Sequence, residues 1–344
     1  MNIDYSSKTV LLTGAGGPAI AGMISVLRNW GYRIVAVDML PFASGFYLAD
    51  RAYVVPAGNA PDFLPRITEI CRAEKVDAVV SVVDEELPHV LELEAMGIAV
   101  IQPRLRFVEL SLDKLRCMRE LRAAGINAPQ TWMVNELPQD VPYPLFVKPR
   151  VGRGSRGCGK VGSPAELKAF VAASSYAPDK LLVQTFAEGT EFTVSVIVWR
   201  DGEVQAVVPK QIISKVGVTK AAVTRRNAKI DVLCTAIQER FKADGPFNVQ
   251  LVLDRDGEPW PFEINPRFST SITLTNAAGA DELGGLLSQA LFGRDSYRVP
   301  AWQESVVLVR HTTDQFISEA QFKSVGVTAD LQQREYLGKT RNNE

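Results

Sequence analysis

The chain has 344 residues, 46% apolar and 22% charged, a composition that supports two or three globular domains with sizeable cores. Its 38 Lys and Arg balance 39 Asp and Glu, and the resulting net charge of −1 excludes a protein held to nucleic acid or anionic membrane by bulk charge. No apolar run reaches the roughly 18 residues of a membrane span, and the opening MNIDYSSK, with Asp4, lacks the shape of a secretory leader.

Residues 1–110 read as alternating strands and helices. Thr9–Thr13 is a β-branched run ending in Gly14, Pro18 suits the first turn of a helix, and Gly31 suits the position just past its end. Ile20, Ile24 and Leu27 recur between them at helical spacing. Strands follow at Arg33–Val37, Asp77–Val83 and Ile98–Ile101, with helices at Pro61–Glu74 and Glu85–Ala95. This rhythm predicts a parallel, doubly wound sheet. An amphipathic helix over Lys114–Ala124 closes at Gly125. The middle of the chain turns β-rich, with strands at Pro144–Pro149, Leu181–Phe186, Glu191–Arg200, Val204–Ile213, Phe247–Asp254 and Trp260–Asn265. Asp201-Gly202 and Asp256-Gly257 are hairpin signals. A helix at Asp281–Phe292, a strand at Ser305–Arg310 and a polar tail complete the chain. The four cysteines, Cys71, Cys117, Cys158 and Cys234, form no CxxC pair, which suits the reducing cytoplasm. Two histidines, His89 and His311, make a multi-histidine metal site improbable.

Two glycine-rich segments stand out. Gly14-Ala-Gly-Gly-Pro follows a strand and opens a helix, where main-chain donors favour an anion. Asp38 closes the next strand, as an acid holding a nicotinamide-cofactor ribose would. The spacing is not GxGxxG and Pro18 removes one N–H, so a tight strand-to-helix turn is the favoured reading. The second segment, Gly152-Arg-Gly-Ser-Arg-Gly-Cys-Gly159, lies between a strand carrying Lys148 and a short strand at Lys160–Val161. Glycines let such a loop close over phosphates with its main-chain N–H groups. A flexible surface hairpin is the bland alternative, against which the adjacent Lys148-Pro-Arg150 weighs.

The most specific signal is FNVQLVLDRDGEPWPFEINPR, residues 247–267. A two-residue loop at Asp256-Gly257 would pair Arg255 with Glu258, Gln250 with Glu263 and Asn248 with Asn265. Alternation then puts Glu263, Asn265 and Arg267 on one face with Gln250 and Asn248. Phe262, Ile264, Val249 and Leu251 would face a core. The missing N–H groups of Pro259 and Pro261 would look outward, to an edge or a bulge. Hard oxygen donors on one face suit Mg²⁺ on a nucleotide phosphate, and Arg267 supplies a cation for transferred charge. An ordinary solvated strand face is the alternative.

These residues resemble the ATP-grasp superfamily, most closely its carbamoyl-phosphate-synthetase-type carboxylate–amine ligase branch. NVQ…DG…FEINPRFSTS is similar to the metal-binding signature of that branch. Asp113-Lys114, FVKP at 146–149, the Gly-rich loop and Glu191-Phe192 occur in the family's order and rough spacing. The resemblance covers residues 8–295 and implies an α/β chain with an α+β core, a Rossmann-like pre-ATP-grasp domain followed by a two-lobed ATP-grasp fold. The implied divisions are 1–110, 111–186 with the Gly-rich loop, and 187–344 with the metal site and a C-terminal extension.

The resemblance further implies that Lys114 and Lys148 contact ATP phosphates. Gly152, Arg153, Gly154, Ser155, Gly157 and Gly159 would form a mobile flap. Gln184, Thr185 and Phe186 would be the adenine hinge and Glu191 the ribose ligand. Many relatives carry Glu where this chain has Gln184, which makes Glu188 a rival. Glu263 and Asn265 would hold Mg²⁺ (Mn²⁺ as an alternative), with Gln250 auxiliary, and Arg267 and Lys148 would be catalytic. Lys210, Lys215, Lys220, Arg225 and Arg226 would line the acceptor site, unless they form a solvated basic loop. The implied reaction joins a small carboxylate to an amine through an acyl phosphate, releasing ADP and phosphate, in a cytoplasmic homodimer without nucleic-acid or membrane partners. A non-catalytic ATP-binding sensor, an ATP-grasp carboxylase or kinase-like enzyme, and a Rossmann oxidoreductase using Gly14–Gly17 and Asp38 remain the alternatives.

Overall fold

In the computed structural model the described residues are 3–154 and 156–325. Ser155, the polar tail beyond residue 325 and the first two residues lie outside them.

The N-terminal region forms a five-stranded parallel sheet from β1 (Thr9–Leu12), β2 (Arg33–Asp38), β3 (Arg51–Val54), β4 (Ala78–Val80) and β5 (Ala99–Val100), in the order β3-β2-β1-β4-β5. The doubly wound expectation holds. Its helices are α1 (Ile20–Trp30), α2 (Phe63–Glu74) and the short α3 (Leu87–Val90). Side chains of β1 alternate faces, so Leu11 joins the core under α2 with Phe63 and Ile67, while Val10 and Leu12 join Ile20, Met23, Ile24 and Leu27 of α1. Gly31 ends α1 at φ 93°, its N–H closing on the Arg28 carbonyl. The helix expected over 85–95 is broken: α3 runs into a 3₁₀ turn at Leu91–Met96, and residues 84–86 form a turn before it.

Two helices follow, α4 (Leu105–Leu112) and α5 (Lys114–Ala123); the sequence reading missed α4. Asp113 between them caps α5 by accepting from the Arg116 N–H. A four-stranded antiparallel sheet comes next: β6 (Thr131–Met133), β7 (Leu145–Pro149), β8 (Gly159–Val161) and β9 (Leu181–Thr185), in the order β6-β9-β7-β8, covered by α6 (Pro164–Ala173).

The third sheet is antiparallel and six-stranded: β10 (Thr190–Val198), β11 (Val204–Val216), β12 (Val218–Thr224), β13 (Phe247–Leu253), β14 (Pro259–Asn265) and β15 (Val307–Val309). The order β14-β13-β10-β11-β12-β15 puts β14 at an edge, which accommodates Pro259 and Pro261. On one face α7 (Ala228–Phe241) and α5 bury Ile230, Cys234, Ile237, Cys117, Met118 and Leu121 against Val194, Val249 and Leu251. Helices α8 (Ile272–Ala277) and α9 (Glu282–Phe292) cover the other face, and the core they form is continuous with that of α1. A last helix, α10 (Glu319–Ser324), stacks Phe322 on Phe42.

The hairpin carrying the metal signature is correct at one end and displaced at the other. Asn248 faces Asn265 and Gln250 faces Glu263, as expected. Beyond them Leu251 pairs with Pro261 and Leu253 with Pro259, which leaves Phe262 unmatched in a bulge. The loop is also longer than two residues: the Asp254 N–H donates to the Glu258 carbonyl at 3.0 Å, and Gly257 takes φ 74°. The extra loop residue and the bulge shift the register in opposite senses, so the end bearing Glu263 is restored.

Candidate active site

A cavity of about 470 Å³ lies between the four-stranded and six-stranded sheets. It gathers Lys114, Lys148, Gly152, Arg153, Gly154, Gln184, Thr185, Phe186, Glu191, Lys215, Gln250, Glu263, Asn265 and Arg267, which the sequence reading had singled out from segments far apart.

Two cations come from the smaller sheet and its neighbouring helix. Lys148 is 2% exposed on β7; its Nζ donates to the Phe262 carbonyl at 2.8 Å and stands 5.6 Å from that ring. Burial pushes its pKa down to about 8, against the attraction of Glu263. Lys114, at the start of α5, donates to the Gly152 carbonyl at 2.6 Å and so ties the Gly-rich loop to its helix. Asp113 takes the Arg150 fork through both oxygens, at 3.0 and 2.6 Å, which fixes the other side of that loop.

The loop itself divides. Gly152 and Gly154 have φ of 143° and 72° and line the cavity with Arg153, Arg156 and Cys158. Gly157 and Gly159 do not line it. A Cβ on Gly157 would meet the Tyr176 ring at 2.7 Å, and one on Gly159 the Phe170 ring at 2.5 Å. These two glycines serve packing of the loop's base, which corrects their expected role at a ligand. Cys158 faces the cavity, and burial raises its thiol pKa.

The segment after β9 crosses from one sheet to the other. Gln184 is buried and donates from Nε2 to Thr131 at 3.2 Å. Phe186 stacks on Phe146 and carries Lys160 4.2 Å from its ring centre. Glu188, the rival to Gln184, also lines the cavity. Glu191 is ion-paired with Lys215 at 2.6 Å, so the tip of the β11–β12 hairpin folds across the cavity mouth.

The opposite wall is the row of side chains expected to hold a metal. Glu263 opposes Gln250, and Asn265 opposes Asn248, whose Oδ1 accepts from Thr193 at 2.7 Å. Glu263 makes no hydrogen bond among the described residues, so its carboxylate is an open acceptor. Phe262 was expected in the core; the bulge turns it to the cavity instead, with Val252 and Trp260. Arg267 donates through Nη2 to Asn265 Oδ1 at 3.2 Å, through Nη1 to the Phe268 carbonyl at 3.2 Å and through Nε to Asp84 Oδ1 at 2.5 Å. Its burial works against the charge, and Asp84 outweighs it, raising the guanidinium pKa.

The basic acceptor region is largely overturned. Among the described residues, Lys215 alone of the five lines the cavity. Lys210 is fully buried, its Nζ donating to Ser195 at 2.7 Å and to Ser269 and Thr275 at 3.0 Å. Burial lowers its pKa to about 8. Lys220 lies on β12 away from the cavity, Arg225 bonds Gln211 and Ser305, and Arg226 stacks on Trp302 at 4.3 Å. These side chains belong to β12 and its packing, an element the sequence reading missed. Also missed were Asp84 and Glu85, which hold two of the cavity's arginines, Arg267 and Arg153, from the turn after β4 without lining the cavity themselves. Glu85 holds Arg153 Nε with both oxygens, at 3.2 and 2.9 Å. No local pattern marks them, because their partners are far away in sequence.

The first glycine segment is a tight turn. A Cβ on Gly14 would meet Val83 at 2.8 Å, and Asp38 accepts from the Gly16 N–H at 2.7 Å and the Leu40 N–H at 2.8 Å. Asp38 is thus spent on its own turn, which removes the basis of the oxidoreductase reading.

Among known families, that of the ATP-grasp domain matches residues 111–271 and that of the PylC-like N-terminal domain matches residues 10–101. The carbamoyl phosphate synthase large chain of Pyrococcus furiosus is 23% identical over 296 residues, 79% of this chain; the chain spans 27% of that relative's length. Among solved structures, an N5-carboxyaminoimidazole ribonucleotide synthetase in complex with ADP superposes with a TM-score of 0.72 at 18% identity, over 90% of this chain and 83% of the other. The L-amino acid ligase from Bacillus licheniformis superposes with a TM-score of 0.67 at 17% identity, over 83% and 74%. These likenesses bear out the two-lobed fold behind a Rossmann-like domain. Residues 111–271 thus match an ATP-grasp domain, preceded at residues 10–101 by a match to a PylC-like N-terminal domain.

Proposed function

We propose that the protein is a Mg-ATP-dependent carboxylate–amine ligase that forms an amide or peptide-type bond through an acyl phosphate and releases ADP and phosphate. The observation that carries this reading is the convergence of Glu263, Asn265, Lys148 and Arg267 on one cavity beside a Gly-rich loop. The donor set fits Mg²⁺: an open carboxylate on Glu263, with the Asn265 and Gln250 amides beside it, offers hard oxygens and leaves room for nucleotide phosphates and water. When bound, the ion supplies charge neutralisation at the transferred phosphoryl group.

The chain's own residues do the rest. Lys148 and Lys114 offset phosphate charge from the smaller sheet, and Arg267 does so from the opposite wall. Their fixed hydrogen bonds keep those charges aligned before substrate arrives. Residues 152–154 sit where closure excludes water from a labile acyl phosphate. Gln184 through Glu188 suit the nucleoside, with Glu191 toward its ribose once Lys215 yields. The change from a parallel to an antiparallel sheet supports the boundary near 110, and the passage from the four-stranded to the six-stranded sheet supports the one near 186. The sequence likeness to a carbamoyl phosphate synthase and the fold likeness to an L-amino acid ligase support small acids and amines as substrates. Four unpaired cysteines, three of them buried, support a cytoplasmic setting.

The test is nucleotide turnover with Mg²⁺ against pooled carboxylates and amines, with ADP and AMP separated by chromatography. ADP and phosphate that depend on one acid–amine pair establish the reading. AMP overturns the acyl-phosphate mechanism.

A further inference from the structure

The Lys210 ammonium has three protons, and three buried hydroxyls take them: Ser195 at 2.7 Å, and Ser269 and Thr275 at 3.0 Å. Each hydroxyl then has its own proton left to give. Ser195 passes its proton to Glu282 at 2.8 Å, and Thr275 bonds the same buried carboxylate. Hydroxyls thus bridge a buried cation and a buried anion. Ser269 differs. It is 4% exposed, and among the described residues it is the one of the three that lines the cavity, two positions beyond Arg267. Its Oγ also lies 3.1 Å from Ser271 Oγ. Ser271 is buried, and among the described residues its hydroxyl has no other partner. A buried hydroxyl proton without an acceptor is costly, so Ser271 donates to Ser269. Both lone pairs of Ser269 are then filled, by Lys210 and by Ser271, and its own proton is left for the cavity. The main chain fixes this turn: the Ser269 carbonyl accepts from the Ile272 N–H at 3.1 Å, and the Ser271 carbonyl from the Leu274 N–H at 3.0 Å.

From this geometry we propose that Lys210 is a positioning residue, which with Ser271 makes the Ser269 hydroxyl a fixed donor to the oxygen of the acid substrate that becomes the acyl carbonyl; the inference rests on the ligase reading above. Lys210 itself touches no substrate. Its charge is answered by Glu282 through the hydroxyls, and its effect reaches the cavity as the direction of one hydrogen bond. A serine free to turn serves donors and acceptors alike, whereas this one can only donate. That selects an oxygen and rejects an ammonium at the same point. The phosphates already have cations in Lys114, Lys148 and Arg267, so a neutral donor beyond Arg267 matches the less charged acyl oxygen. The ammonium behind Ser269 polarises its O–H, so the bond strengthens as charge builds on that oxygen.

The experiment compares wild type, Ser269→Ala, the paired variant Lys210→Met with Glu282→Gln, and all three substitutions together. The pairing leaves no buried charge alone. A pool of common amino acids and short carboxylic acids is the acid, and hydroxylamine at fixed concentration is the nucleophile, with ADP and hydroxamate as readouts. Ser269→Ala should raise the KM for the acid pool about tenfold, with the KM for MgATP unchanged. The paired variant should do the same, and the triple variant should be no worse than Ser269→Ala within about twofold, because Lys210 acts through that hydroxyl. Ser271→Ala frees the same hydroxyl without touching a charge, so its effect should also vanish once Ser269 is alanine; it decides the matter if the paired variant does not fold. Losses that multiply in the combined variants overturn the inference and leave Lys210 and Ser271 a structural role. So does an unchanged acid KM in Ser269→Ala while the wild type turns over. Absence of ADP from the wild type with every acid overturns the ligase reading, and this inference with it.

Discussion

The residues that decide this site act through what they leave open. Glu263 has no hydrogen-bond partner among the described residues, so Glu263→Ala should lower ATP turnover by more than about a hundredfold while the melting temperature stays within a few degrees. Retained activity of more than a few per cent in a coupled ADP assay would refute the metal role. Lys148 gives a pH signature. Its pKa is depressed to about 8 by burial, so above that pH the empty protein loses a cation that phosphates would have restored. The dissociation constant for MgADP should then rise as pH increases, by up to about tenfold between pH 8 and 9, in calorimetric titration. Lys148→Met should bind weakly and show no such slope. For stability the sign is opposite: the folded state releases this proton before the unfolded chain does, so the contribution of Lys148 improves from about pH 8 upward.

At this scale the sequence exposed the metal row because period-two alternation survives any loop that preserves register. It concealed Asp84, since the contact with Arg267 joins positions 183 residues apart. Lys210 was misread for a related reason. Nothing local reveals that Ser195, Ser269 and Thr275, from separate segments, will surround one ammonium.

Elements were legible where their punctuation was local. Gly31 and Asp113 marked the end of α1 and the start of α5. Helix α7 lacked such clarity in sequence, and the strand β12 read as a charged loop because Lys220, Arg225 and Arg226 masked its alternation. The Asp256-Gly257 signal foretold a hairpin but not its length, since the same dipeptide fits a three-residue loop with Gly257 left-handed. Helix α9 offers a test at this level. Asp281 caps it through the Gly284 N–H at 2.9 Å and also accepts from Trp30 Nε1 of α1 at 2.6 Å. Asp281→Ala removes a cap and strands a half-buried donor, so unfolding in urea should show a loss of about 2 kcal/mol. Turnover of the remaining folded fraction should be unchanged.

Across the whole molecule, three of the four thiols are sealed in cores, and burial pushes Cys71 and Cys117 up to about 12. Cys158 is the exception, at the cavity. A thiol reagent should therefore titrate one group in the native protein and four after denaturation, with MgADP slowing the first. Reaction of two or more native thiols would contradict this packing.

The apolar layer shared by α1, Phe268 and α9 has a practical corollary for anyone cutting this gene into parts. A fragment beginning at residue 111 would bare Phe268, Ile272, Leu283, Leu286 and Leu287 to water, and should collect in inclusion bodies however complete its nucleotide pocket. The amino-terminal third is thus no detachable accessory. Grafting a different one onto this catalytic half would require redesigning both sides of that seam together, which ties the inheritance of the two regions to a single unit.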